Sequence, residues 1–285
     1  MGIIDLIKLI RPWQWYKNIV VFLAIVFVGQ LTNINSIIAV ILTAMAFCLI
    51  SSSNYVINDI LDAKKDKLNP EKKSRPIASG NISILTAIFI ATFLLASGLG
   101  ISLYISVLAA LCGLGLFALT TIYSIWLKHE PIADILAISV NFVIRSLAGA
   151  FAINVEISPW LVTGTFFLAL FLATGKRHSE VAFLKESAKE HRQSLNFYTP
   201  QITLSLMNIS TTLVIVTYAL SSFLGTHQRV IWTMPFFLYG IFRYNALVTQ
   251  GSPIGRKTHN LITDKRMMIT GILWVITTIY AIYGF

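Results

Sequence analysis

Long uncharged apolar stretches alternate with shorter polar ones along the whole chain. An α-helix needs about 20 largely apolar residues to cross the hydrocarbon of a bilayer. The pattern predicts nine such spans, over 18–31, 36–57, 82–99, 103–122, 132–152, 159–176, 202–224, 230–248 and 267–285. The first is short and borrows the aromatic residues before it. The connections alternate in character. Loops 58–81, 123–131, 177–201 and 249–266 are polar and basic, whereas 32–35, 100–102, 153–158 and 225–229 are short and nearly free of Lys and Arg. On that second side only Arg229 is basic, and Arg145 and Arg243 lie inside spans. Lys and Arg concentrate in cytoplasmic loops, so the N-terminus and the long loops are expected in the cytoplasm and the C-terminus outside. The longest loops hold about two dozen residues, too few for a soluble domain. The expectation is one membrane-embedded, all-α domain over 1–285.

Composition agrees with the pattern. Of the 285 residues 56% are hydrophobic and 12% charged, with mean hydropathy +0.74; a soluble domain carries about 25% charged residues. The opening MGIIDLIKLIRPWQWYKN mixes charge with aromatics and lacks a small-residue cleavage site. It reads as an amphipathic segment on the membrane surface, with Trp13, Trp15 and Tyr16 at headgroup level. Cys48 and Cys112 each sit inside an apolar run, which excludes a disulfide framework and argues against a cysteine metal site. The net charge of +10 belongs to cytoplasmic loops rather than to a nucleic-acid surface, so no nucleic-acid partner is expected.

Four constellations carry candidate chemistry. In the first, Asn58, Asp59, Asp62 and Asp66 follow a run from Asn18 to Ile57 that holds no charge. At about 100° per residue, the three carboxylates of a helix fall within an arc of about 60°. Hard oxygen donors on one face suit Mg²⁺ shared with a substrate's phosphates. Lys64, Lys65 and Lys67 point mostly elsewhere, and Arg75, ahead of Pro76 and Gly80, offers a planar fork for phosphate. The alternative is a solvated loop of mixed charge.

The second is Gly175-Lys176-Arg177-His178-Ser179-Glu180 at the end of the sixth span. Lys176 and Arg177 suit a phosphate, and Glu180 stands at salt-bridge spacing from Arg177; the bland alternative is a set of charges that stop the span. Lys185, Lys189 and Arg192 read as an ordinary solvated helix. Tyr123 through Lys128, with Asp134 beyond Pro131, are either ligand contacts or an interfacial aromatic and basic belt. Arg145, one turn after Asn141, is too costly to leave in lipid and marks a functional or paired site facing the bundle interior. Lys17 and Asp264 are weaker candidates at the same membrane level, and Thr258-His259 shows no metal-ligand partner.

The run Asn58-Asp59-x-x-Asp62-x-x-x-Asp66, with Arg75-Pro76 downstream, resembles the first motif of the UbiA-type intramembrane prenyltransferase superfamily, and the resemblance covers nearly the whole chain. Several phrases are similar to its decaprenyl-phosphate phosphoribosyltransferase branch. These are Arg11 through Asn18, Tyr123-Ser124 through Lys128, Arg145-Ser146-Leu147-Ala148-Gly149, Gly175-Lys176-Arg177 with Glu180, Phe242-Arg243-Tyr244 and Thr263-Asp264. The resemblance implies a bundle of nine spans around a central cavity, with cytoplasmic loops over its mouth, in a bacterial-type inner membrane. Ordinary prenyltransferases of the superfamily carry a second acidic pair after the sixth span, where this chain has Lys176, Arg177 and Glu180. That departure fits a donor with an additional phosphate.

The implied reaction moves 5-phosphoribose from phosphoribosyl pyrophosphate to a long polyprenyl phosphate with Mg²⁺ as cofactor. Asp59, Asp62 and Asp66 would hold the metal, and Asn58 would position the ligand or the metal's waters. Arg75, Lys128, Lys176 and Arg177 would take donor phosphates, Tyr123 would orient the ribose, and Lys17 or Arg145 would take the acceptor phosphate. The alternatives are prenyl transfer from a prenyl diphosphate to an aromatic acceptor, or a transporter. The latter places its ionisable groups near the midplane, whereas these acids crowd one boundary.

Overall fold

The computed structural model describes residues 2–184, 197–252, 254–255 and 263–284. Lys185, Lys189, Arg192 and the Thr258-His259 pair lie outside them. Every regular element among the described residues is helical. α1 (Ile3–Ile10) leads into a 3-10 stretch (Pro12–Phe22) and α2 (Leu23–Phe27). Then come α3 (Ile34–Leu61), α4 (Ala63–Leu68), α5 (Ile84–Ile105), α6 (Val107–Ile125) and α7 (Ala133–Ala152). α8 (Pro159–Leu184), α9 (Pro200–Leu224), a 3-10 turn (Gln228–Thr233), α10 (Met234–Thr249) and α11 (Lys265–Tyr283) complete the chain.

Among the described residues seven of these helices (α3, α5, α6, α7, α8, α9 and α11) are long and apolar enough to cross a membrane. The expected first and eighth spans are composite. A 3-10 helix rises about 2.0 Å per residue against about 1.5 Å for an α-helix. The stretch from Pro12 to Phe27 therefore reaches about 30 Å, close to the thickness of the hydrocarbon core, although its α-helical part is only five residues long. The eighth joins the 3-10 turn to α10 in the same way.

Two boundaries differ from the sequence expectation. The connection placed at 100–102 is helical, and the chain instead breaks at the single extended residue Ser106, with φ −162° and ψ 135°. The sixth span continues to Leu184, so Arg177 and Glu180 lie on the same helix as Lys176 and not in a loop.

Caps explain the starts. The Asn33 side chain accepts from the N–H groups of Asn35 and Ser36, Ser83 from Thr86, Thr199 from Ile202 and Asp264 from Met267; each satisfies donors a helix leaves open. α3 is 28 residues long, about 42 Å. That is longer than the hydrocarbon core is thick.

The contacts group into two compact units, one of residues 1–126 and 141–157, the other of 127–140 and 158–285. The first packs Phe47, Ile50, Leu116 and Ala148 together, with a second cluster around Leu9, Val56, Ile77 and Ala91. Gly98 lets α5 approach α3: an added Cβ would stand 2.7 Å from Ile50 and 2.8 Å from the Ala46 carbonyl. The second unit centres on Phe171, Met207, Val214, Ile241, Tyr244 and Val248.

The side-chain distribution is that of a protein in lipid. Ser51, Ser52, Ser53 and Asn54 of α3 are buried, while Leu85, Phe89 and Phe93 of α5 are 79%, 73% and 63% exposed. In water those aromatic and aliphatic groups would face solvent at a cost of about 25 cal/mol per Å². Against acyl chains they cost nothing, and helix contacts are free to use small and hydroxyl residues.

Candidate functional site

The acidic run does not stay on one helix. α3 ends at Leu61, Asp62 forms the junction with φ −89° and ψ −2°, and α4 restarts at Ala63. Asp59 and Asp66 are buried, Asn58 and Asp62 are half-buried, and Lys64, Lys65 and Lys67 are exposed as the sequence suggested. Arg75 stands between the two buried acids. Its Nη1 donates to Asp59 Oδ1 at 2.9 Å and to Asp66 Oδ2 at 2.7 Å. Arg11, which ends α1, reaches the same Asp59 oxygen, with Nη2 donating at 2.5 Å, and its guanidinium lies 5.4 Å from the centre of the Tyr55 ring.

Two carboxylates and two guanidiniums thus form a closed quartet, with Asp59 1% and Asp66 2% exposed. Such pairing roughly offsets the cost of burying the charges and adds little net stability. Asp59 Oδ2 is buried with no hydrogen-bond partner. No three His, Cys, Asp or Glu side chains gather at metal distance among the described residues. Mg²⁺ does not need three, because it takes one or two carboxylates and completes its shell with water and substrate phosphate. A hard, buried and unpartnered carboxylate oxygen on Asp59, with Asp66 across Arg75, fits that ion.

Arg145 occupies a second polar centre in the same unit. It is buried, and its partners among the described residues are neutral: Nε donates to Asn18 Oδ1 at 2.9 Å, Nη1 to the Asn141 carbonyl at 2.8 Å, and Nη2 approaches Ser51 Oγ at 3.5 Å. Asn18 also donates to Cys48 Sγ at 3.2 Å. With Trp15 donating to Ser52 Oγ at 3.0 Å and Ser52 donating to the Ile10 carbonyl at 2.8 Å, these bonds fasten the 3-10 stretch to α3 and α7. Gly149 permits the approach, since a Cβ there would stand 1.9 Å from the Val21 carbonyl oxygen. Lys17 is half-buried on this stretch beside Asn18, and Tyr123 is half-buried near the end of α6.

In the other unit, Arg177 is buried and committed to carboxylates. Its Nε donates to Asp134 Oδ2 at 2.8 Å, and its Nη1 pairs with Glu180. The sequence expects a phosphate grip at Arg177; here its Nε and Nη1 are taken by carboxylates. Lys176, with 43% of its side chain exposed and 3.8 Å from Glu180, is the accessible cation of the pair. Tyr198 donates to Asp134 Oδ1 at 2.6 Å and accepts from the Ile132 N–H at 2.8 Å. Burial, followed by the adjacent Asp134 carboxylate, pushes the phenol up from its ordinary value, so it remains a donor at every working pH. Ile132 has φ +66°, an unusual conformation for a β-branched residue and one that costs about 1–3 kcal/mol. Tyr198 holds that turn, four residues after the half-buried Lys128. Arg243 donates to Asp264 at 2.7 Å, and that bond, with the capping N–H of Met267, holds the Asp264 carboxyl below its ordinary range.

Sequence reasoning did not select Arg11, Asn18 or Tyr198, and it left Asp134 and Asp264 without roles. Each pairs across 21 to 127 residues, and no periodicity signals such a partner.

Comparison with known proteins adds the family. The chain is 33% identical to the decaprenyl-phosphate phosphoribosyltransferase of Corynebacterium glutamicum, over 98% of this chain and 86% of that protein. It is 32% identical to the enzyme of that name from Mycolicibacterium smegmatis, over 98% and 92%. The fold matches a UbiA homolog from Archaeoglobus fulgidus, solved bound to GPP and Mg²⁺, with TM-score 0.77 over 99% of this chain and 100% of that one, at 19% identity. The model of the UbiA prenyltransferase family matches residues 18–258, from the asparagine that holds Arg145 to a point beyond α10, and takes in the acidic pair and Arg75. With its membrane helices and its buried acids, this chain belongs to the UbiA prenyltransferase family, and it is a multi-pass membrane transferase.

Proposed function

We propose that the protein transfers 5-phosphoribose from phosphoribosyl pyrophosphate to a long-chain polyprenyl phosphate and releases pyrophosphate. The carrying observation is the buried Asp59–Asp66 pair closed by guanidiniums, a site for cation and phosphate together. The two relatives named above support the choice of donor and acceptor, and the metal bound in the A. fulgidus homolog supports Mg²⁺.

In this reading Asp59 and Asp66 would hold Mg²⁺, with Asp62 at the junction between their helices, and the ion when bound would neutralise the charge gathering on pyrophosphate and make it a better leaving group. Asn58 positions the ligand beside them. Arg75 supplies a fork for phosphate oxygens, and Lys128 and Lys176 take the remaining donor phosphates. Arg177 and Glu180 act behind Lys176, fixing its turn of α8 against Asp134. Tyr123 orients the ribose.

The bond from C1 of the sugar to the pyrophosphate oxygen breaks, and its electron pair leaves with pyrophosphate. An oxygen of the lipid phosphate forms the new bond to C1. That oxygen is already anionic, so no general base is needed, and placement and electrostatics supply the rate. Lys17 takes the acceptor phosphate, and Arg145 holds the stretch that carries it. The active site faces the cytoplasm, in a bacterial inner membrane, with the C-terminus outside.

The test is turnover by the purified protein of phosphoribosyl pyrophosphate, radiolabelled in the ribose, with a polyprenyl phosphate. Mg²⁺-dependent label in the lipid extract is expected. Transfer from a prenyl diphosphate to an aromatic acceptor, with no label entering the lipid, would overturn the proposal.

A further inference from the structure

Arg11 is the one member of the buried quartet to which the reaction above gives no task. Its position is built at a cost. It stands at φ +53° and ψ +60° between α1 and the 3-10 stretch, a left-handed conformation that L side chains avoid. It also precedes Pro12, which pushes its neighbour toward extended backbone. That turn carries the guanidinium across 48 residues onto Asp59.

The quartet has a further property. Arg75 Nη1 sits between Asp59 Oδ1 and Asp66 Oδ2, and Arg11 shares the first of those oxygens. A cation entering between the acids meets two guanidiniums already in place. Like charges at such range repel strongly where water is scarce. Both arginines keep a route outward, with side chains 19% and 23% exposed while the acids are closed off.

We propose that Arg11 is a second phosphate-binding guanidinium of the donor site. Arg11 and Arg75 hold Asp59 and Asp66 while no ligand is bound, and pass from carboxylate to phosphate when metal and diphosphate arrive together. This rests on the reading of Asp59 and Asp66 as metal ligands and extends it. A divalent cation alone must compete with both guanidiniums and binds weakly. A diphosphate supplies the anion that draws them off, so each ligand tightens the other. The same quartet keeps two buried carboxylates neutralised between turnovers.

The experiment measures Mn²⁺ binding to the full chain in detergent, as a stand-in for Mg²⁺, by equilibrium dialysis at buffered free Mn²⁺ with and without inorganic pyrophosphate. Wild type should bind Mn²⁺ weakly alone and about 5- to 150-fold more tightly with pyrophosphate, the usual range for coupled sites. In Arg11→Gln, binding of Mn²⁺ alone should tighten while the pyrophosphate effect shrinks about tenfold. Unchanged constants in both conditions, or weaker binding of Mn²⁺ alone, would overturn the assignment. Arg11→Lys keeps the charge without the fork and guards against misfolding of the first variant: it should retain weak binding of Mn²⁺ alone and lose part of the pyrophosphate effect. Full wild-type coupling in that variant counts against the proposal. Lipid labelling that persists with no coupling removes only the role of Arg11, and coupling without lipid labelling removes only the choice of donor.

Discussion

The pair of Arg177 and Asp134 gives a test that separates a holding role from direct phosphate binding. Asp134 is wholly buried in the first turn of α7, and Arg177 is 1% exposed on α8. Asp134→Asn keeps the volume, and its amide oxygen still accepts from Tyr198, while its amide nitrogen can no longer accept from Arg177 Nε, so the change removes the charge and that hydrogen bond together. Removing one partner of a buried ion pair costs about 3–5 kcal/mol. Glu180 remains against Arg177 with 20% of its side chain exposed, which places the expected loss at the lower end, about 3 kcal/mol.

Arg177→Met in the wild-type background should cost a similar amount, because Asp134 is then buried without its cation. In the double variant neither charge is stranded, and Glu180 keeps Lys176 and water. The two losses should therefore fall short of additivity by at least about 1.5 kcal/mol. The assay is a double-mutant cycle on unfolding in mixed micelles, with sodium dodecyl sulfate as denaturant and circular dichroism as the signal. Losses that add to within about 0.5 kcal/mol would refute the holding role and return Arg177 to the phosphate site.

Asp59→Asn and Asp66→Asn should each abolish Mg²⁺-dependent formation of labelled lipid while the protein remains monodisperse; wild-type turnover in either would remove that residue from the metal site. Gly149→Ala should destabilise by about 1–3 kcal/mol or more, because its Cβ would enter the space of the Val21 carbonyl oxygen; an unchanged thermal midpoint would refute that packing. Asp264 has its carboxyl held low by Arg243 and by the Met267 N–H. Its contribution to stability is complete above the ordinary carboxylate range and is lost as pH falls through the lowered value. Asp264→Asn should therefore lower the melting temperature near neutrality and narrow the gap to wild type in acid, and a gap independent of pH would contradict the ion pair.

Much of the architecture was legible in the chain, and what was missed has local causes. Nothing in the apolar run around Gly100 distinguishes the expected connection at 100–102 from the actual break at Ser106. Charges at 176–180 look like the end of a span, yet the helix runs on to Leu184 because Arg177 and Glu180 pair along it. The expected single helical face through Asp59, Asp62 and Asp66 gives way to a junction at Asp62, and Asp59 and Asp66 meet instead through Arg75.

The amino-acid sequence by itself determined the membrane helices, the concentration of cations on alternate connections and the acidic run that ends α3. Transfer free energy into lipid sums over neighbouring residues, and helical spacing is a property of the local chain. The tertiary structure alone decided which charges meet. Arg11 finds Asp59, Arg145 finds Asn18 instead of a carboxylate, and Arg177 finds one oxygen of Asp134 while Tyr198 finds the other. A buried charge takes the partner that packing brings within about 3 Å, and that depends on helix contacts, such as the approach of Gly149 to Val21, which no local pattern encodes.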